Sequence, residues 1–356
     1  MAPKRRSMDG ITEPKSKKAK LMANQIHQAR KLIKCNHGQE MESERAKIIA
    51  GIFHEASGAD YTGLAHVILS RVGSDSLVIE QISKNKTIHE VSQTGNIDLL
   101  KELLSLGVEI DCLNDDGKSP LHIACENRST KIVEELLKSG ANPNLRSTTN
   151  DKSPLHHIFE DDDDEMDEIT KRIGTIPFIK CLLKYSADIN ALDKRGRSTL
   201  YLASFYEDFT AVRLLLKNGA KPDCGKESIS PLYDASEYNN IAIVEELLNH
   251  GADVNPKDGQ DIPLYIASWE GHSDLVSKLI AHGADNNIQN SFGNTPLHAS
   301  CQKGHLEIVK KLLIHGANAN LQIENQKLPI VVATNGGHLA IVKELLKYGA
   351  NIDVPS

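Results

Sequence analysis

Apolar residues recur along this chain on two length scales. In short windows they fall at i, i+1, i+4 and i+5. Ile308, Val309, Leu312 and Leu313 are one such set, and this spacing puts all four on one face of a helix. A glycine follows the apolar group at Gly140, Gly219, Gly251, Gly283, Gly316 and Gly349, where a left-handed residue ends a helix at little cost. Ahead of each group, Ser119-Pro120, Ser153-Pro154, Ser230-Pro231 and Thr295-Pro296 join a capping hydroxyl to a proline. The proline lacks an N–H that the first helical turn would leave unsatisfied anyway. Gly304-His305 breaks this first helix after about two turns. Each unit is therefore expected to be a helix-turn-helix pair.

On the longer scale the units repeat. Glycine followed by alanine recurs at steps of 32, 32, 33 and 33 residues from Gly219 to Gly349, with Gly140-Ala141 and Ser186-Ala187 before them. The helix starts keep the same step, at Ser119, Ser153, Ser198, Ser230, Ile262, Thr295 and Leu328. Eight copies run from residue 85, the first degenerate and beginning at Thr87-Ile88-His89. The best copy reads Gly293-Asn294-Thr295-Pro296-Leu297-His298, then Gly304-His305-Leu306-Glu307-Ile308-Val309, then Leu312-Leu313 and Gly316-Ala317-Asn318. This pattern resembles the ankyrin-repeat family over about three quarters of the chain. The resemblance implies an all-α solenoid of stacked helix-turn-helix units with β-turn fingers. One pair is too small to bury both its apolar faces, so stability must come from neighbours in the stack.

The expected organisation is a disordered basic tail at 1–20, a helical segment at 21–84 and the repeat domain at 85–356. A fainter echo, Phe53-His54-Glu55-Ala56, lies 35 residues before Ile88-His89-Glu90-Val91 and suggests a degenerate capping repeat in the helical segment. In the third repeat the step from Ser153 to Ser198 lengthens to 45 residues. The extra length holds Glu160, Asp161, Asp162, Asp163, Asp164 and Glu165, too many adjacent charges to pack, so an exposed acidic loop is expected at about 160–172.

Composition narrows the class further. Aromatics make up only 4% of the chain and apolar residues 40%, which disfavours sandwiches and barrels. The net charge of −7 hides an asymmetry: residues 1–20 hold seven basic and two acidic side chains, net +5, leaving −12 for the rest. That balance makes direct nucleic-acid binding an unfavoured function. No run approaches the roughly 18 apolar residues of a membrane span, and no apolar stretch follows the basic start as in a secretion signal. The six cysteines are dispersed, without zinc-type or disulfide-framework spacing, which suits a reducing compartment.

Catalytic constellations are missing from the sequence: there is no P-loop, HExxH, GxSxG or GxGxxG opening a βαβ unit. No cofactor, metal site or enzymatic activity is expected. His89, His122, His156 and His298 occupy the helix-start slot, while His250, His282 and His315 precede the terminal glycines, so backbone hydrogen bonding is their expected role. Consecutive Asp162 to Asp164 lack the interleaved carbonyls and glycine of a calcium loop. Leu182 to Asn190 and Leu247 to Asn255 resemble the context in which asparaginyl hydroxylase modifies ankyrin repeats, though a role in the inter-repeat turn is the preferred reading.

Recognition is the stronger expectation. In the family this chain resembles, partners lie along a concave face formed by fingertips and the ends of the first helices. Here those positions carry Phe205 and Tyr206, Glu237 and Tyr238, Trp269 and Glu270, then Gln302 and Lys303, with Phe292 at a fingertip. Rings beside carboxylates suit a Lys- or Arg-bearing protein segment through cation–π contacts of roughly 0.5–2 kcal/mol each, and a basic histone tail is one such ligand. The acidic loop would speed its arrival. In the tail, Arg5 and Arg6 followed after ten residues by Lys17, Lys18 and Lys20 resemble a bipartite nuclear-import signal read by importin. The expected function is a non-enzymatic interaction module or adaptor in the nucleus, with the cytoplasm as the alternative location. Two other functional classes share this scaffold: a substrate-recognition or targeting subunit of an enzyme complex, such as a ubiquitin ligase or phosphatase, and an inhibitor that masks a transcription factor.

Overall fold

A computed structural model describes residues 39–57, 62–72, 75–159, 174–225, 230–257, 262–322 and 328–352. The basic tail, with Arg5, Arg6, Lys17, Lys18 and Lys20, and the acidic insertion, with Glu160 to Glu165, lie outside the described residues. Among those residues the chain forms nineteen helices and no strand, only an isolated bridge between Leu192 and Ser198.

Three helices precede the repeats: α1 (Gln39–Ser57), α2 (Thr62–Val72) and α3 (Ser76–Lys84). The first repeat follows as α4 (Thr87–Thr94) and α5 (Ile97–Ser105). α1 packs on α4 and α2 on α5, while α3 fills in beside α1 and α4. Ala46, Ile49, Ala50, Phe53 and Ala56 are buried on α1, at the i, i+3, i+4, i+7 spacing a core-facing stripe requires.

Repeats 2 to 8 supply α6 (Pro120–Glu126) and α7 (Thr130–Lys138), α8 (Pro154–His157) and α9 (Thr175–Lys184), α10 (Thr199–Phe205) and α11 (Phe209–Lys217), α12 (Pro231–Glu237) and α13 (Ile241–Asn249). Then come α14 (Pro263–Glu270) and α15 (Ser273–Ala281), α16 (Pro296–Lys303) and α17 (Leu306–Ile314), and α18 (Pro329–Asn335) and α19 (Leu339–Lys347). First helices stack on first helices from α4 through α18, and second helices pack alongside one another. The predicted faces are the buried ones: Ile308, Val309, Leu312 and Leu313 are each at most 4% exposed.

Local chemistry sets the boundaries. The hydroxyls of Ser119, Ser198, Ser230 and Thr295 accept the first-turn N–H groups of α6, α10, α12 and α16. The fingers are turns built by one side chain. Asn114, Asp193 and Asn290 each accept backbone N–H groups two and four residues on, and the turn closes on Gly117, Gly196 and Gly293. Second helices end on left-handed glycines, except in repeat 3, where Ser186 adopts φ 66°. The inter-repeat turns are laced by carboxamides. Asn190 accepts the N–H of Lys221 at 2.8 Å and donates to the carbonyl of Gly219, and Asn255 does the same to Asp285 and Gly283. Both asparagines thus serve the turn.

Candidate partner-binding face

The residue at the third position of each first helix divides the array chemically. In repeats 2 and 3 it is histidine. Nδ1 of His122 accepts the N–H of Ser119 at 3.1 Å and so carries no proton, which leaves Nε2 to donate to the carbonyl of Lys152 in the next repeat, also 3.1 Å. His156 does the same between Ser153 and Arg197. Burial keeps both imidazoles neutral, lowering His122 to about 3, with His157 adding to the effect, and His156 to about 4.

Repeats 4 to 6 hold Tyr201, Tyr233 and Tyr265 in that slot. The Tyr201 hydroxyl donates to the Asp234 carboxylate of the next repeat, and Tyr265 bonds Asn290. A tyrosine at position i meets an aromatic residue at i+4 on the same helix face. Tyr201 stacks on Phe205 with centroids 6.2 Å apart, and Tyr265 stacks on Trp269 at 6.2 Å. Phe205 meets Tyr206 edge to face at 5.3 Å, and Tyr206 lies parallel to Phe159 at 6.4 Å. Two aromatic groups result, one on repeats 3 and 4 and one on repeat 6. Between them Tyr238 stands 58% exposed.

The carboxylates on this face are short of partners. Burial pushes the Asp234 carboxyl above its ordinary value against the Tyr201 hydrogen bond, and nearby Glu237 pushes the same way. Asp234 Oδ2 is buried and has no hydrogen-bond partner. Among the described residues neither Glu237 nor Glu270 forms an ion pair. One cation is already in place: Lys303 Nζ sits 4.3 Å from the centre of the Trp269 ring.

The ends of these helices are tied to the following repeat. His272, His305 and His338 each bring Nε2 to a carbonyl of the preceding unit, those of Glu237, Trp269 and Gln302, at 2.9, 3.0 and 3.3 Å. These links hold the ring-bearing turn in register from unit to unit.

The structure thus brings Phe205 against Tyr206 and Trp269 against Lys303, while Glu237 and Tyr238 are only neighbours in the chain. Glu270 and Gln302 are exposed, and Phe292 is 68% exposed at its fingertip with no ring contact to the stripe among the described residues. Tyr201, Asp234, Tyr265 and Phe159 belong to the face although their positions read as ordinary repeat positions. The i, i+4 aromatic pairs were the signal for two of them.

At the repeat 2 end the same register is spent internally. Glu126 takes Lys118 Nζ at 2.5 Å and His157 Nδ1 at 2.6 Å, and these hydrogen bonds hold its carboxyl below the ordinary range although burial opposes them. His157 also packs edge-on to His122 at 4.8 Å. This cluster staples repeats 2 and 3. Among the described residues no group of three or more His, Cys, Asp or Glu side chains is arranged to hold a metal, and no helix is long and apolar enough to cross a membrane.

A family model described as ankyrin repeats matches residues 88–166, 168–258 and 264–356. Over 136 residues the chain is 28% identical to an ankyrin repeat protein of fowlpox virus, covering 38% of this chain and 21% of that protein. Over 175 residues it is 30% identical to the phosphocholine transferase AnkX of Legionella pneumophila, covering 47% and 18%. Over 153 residues it is 26% identical to the mouse B-cell lymphoma 3 protein homolog, covering 43% and 32%. The chain spans about a third or less of the length of these relatives. Repeats of this kind are protein–protein interaction modules. With most of its length matched and its helices stacked in the repeat register, the chain belongs to the ankyrin-repeat family.

Proposed function

We propose that this chain is a non-enzymatic adaptor that holds a Lys- or Arg-bearing partner segment along the first-helix face of repeats 4 to 6, and that it acts in the nucleus. The observation that carries this reading is the exposed Tyr238 ring between two aromatic groups, next in the chain to Glu237 and one turn on from Asp234, with Glu270 at the equivalent position of the next repeat. Unpaired carboxylates next to open ring faces favour a cation that brings its own hydrogen-bond donors, and guanidinium or ammonium groups do so. Entry of such a group would give the buried Asp234 Oδ2 a donor and relieve the repulsion between Asp234 and Glu237.

The deciding experiment measures anisotropy of a labelled basic peptide with the full chain and with Tyr238→Ala. Binding should weaken at least fivefold in the variant, fall with added salt, and leave the melting temperature unchanged. Equal affinity in both proteins sinks the reading. The nuclear assignment rests on the two basic clusters of residues 1–20. A reporter carrying this segment should accumulate in nuclei and should lose that accumulation when Lys17, Lys18 and Lys20 become Gln.

A further inference from the structure

We propose that Lys303 is a built-in competitor for the cation subsite on Trp269, so that an incoming Lys or Arg side chain must displace it. The proposal rests on the basic-partner reading above. Trp269 is held between two neighbours. On its own helix Tyr265 stacks against it at 6.2 Å, and from the next repeat Lys303 places its ammonium 4.3 Å from the ring centre. Lys303 is exposed and forms no ion pair among the described residues, so the ring is its described partner. The repeat register makes its identity informative. Position 303 corresponds to Tyr206, Tyr238 and Glu270 in the three preceding units, where the side chain is aromatic or acidic. Repeat 7 alone sets a cation at that place on the face, and the cation lies on the chain's only tryptophan.

The geometry shows that the Trp269 ring accepts an ammonium in this setting, and that the subsite is filled in the free protein. An exposed cation–π contact is weak enough to be exchanged, and losing the competition for it corresponds to a two- to fivefold change in affinity. Lys303 would then set the affinity threshold: a single mobile cation would not hold the site against it, whereas a segment also engaging Glu237, Tyr238 and Glu270 would.

The test uses the full chain as wild type, Lys303→Gln, Lys303→Arg and Tyr238→Ala, with a fluorescein-labelled peptide of six alternating Lys-Gly pairs as probe. Because Trp269 is the only tryptophan, its emission reports on this subsite directly. Lys303→Gln should bind the peptide two- to fivefold tighter, and the emission of the free protein should change on removal of the ammonium. Lys303→Arg, which restores a cation over the ring, should return both readouts toward wild type. Unchanged or weaker binding by Lys303→Gln, while wild type still binds and Tyr238→Ala still loses affinity, overturns the competitor role and leaves the basic-partner reading standing. Weaker binding there would mean that Lys303 holds the Trp269 ring in place for the peptide and does not compete with it. Absence of peptide binding in both wild type and Lys303→Gln overturns the two together.

Discussion

His122 reaches from the N–H of its own capping residue to the carbonyl of Lys152, one repeat further along, so a single imidazole closes a helix start and ties two units together. Both bonds require the neutral ring with its proton on Nε2. Protonating Nδ1 would set a donor against the Ser119 N–H.

Acid should therefore loosen repeats 2 and 3 before it protonates most carboxylates. The folded-state values of His122 and His156 lie below 6.5, at about 3 and about 4, so the unfolded chain binds more protons in the window from 6.5 downward. Their contribution is intact above pH 6.5 and declines as the pH falls toward those values, by about 2 kcal/mol per histidine at pH 5. Urea unfolding at pH 7.5 and pH 5 should show that loss. His122→Tyr, the side chain repeats 4 to 6 use, should shrink it, and an unchanged difference would contradict the account.

Ser186 is a point of backbone strain. It holds φ 66° where the other second helices of repeats 2 to 8 end on glycine. Ser186→Gly should raise stability by about 1 kcal/mol, and Gly219→Ala should lower it by a similar amount, both readable from chemical denaturation midpoints.

Gly271 carries a different constraint. Its φ is 87°, and a Cβ there would lie 2.7 Å from the His305 ring that bonds the Trp269 carbonyl. Gly271→Ala should cost about 2 kcal/mol and alter the Trp269 emission at the same time. Asn239 holds the equivalent left-handed position in repeat 5, with φ 57°, so Asn239→Gly should be neutral or stabilising in the same assay.

Asp234 should show stability and recognition pulling apart. Its raised carboxyl means that ionisation at neutral pH costs the folded state, so the native protein gains as the pH falls through the folded value toward the ordinary carboxylate value and loses that gain as the pH rises back through it. Asp234→Asn removes that cost and should raise the melting temperature at pH 7, while weakening basic-peptide binding by up to about fivefold. A variant that gains stability with unaltered affinity would remove Asp234 from the binding face.

The repeat boundaries and the buried faces were determined by the sequence alone. Ile308, Val309, Leu312 and Leu313 had to share a face, and Thr295-Pro296 and Gly316 had to bracket the helices, because helical periodicity, capping and left-handed turns act within a few residues. The candidate positions Phe205, Tyr206, Tyr238 and Trp269 were legible from the same register. What they touch was not. Tyr201 finds Asp234 and Trp269 finds Lys303 across a repeat boundary more than thirty residues away, while Glu126, equivalent in register to Phe205, is used up by Lys118 and His157. Those outcomes depend on which rotamers of two adjacent units meet and on which side chain another partner has already taken. Only the stacked structure decides that, because each contact is a competition among side chains that the linear order does not bring together.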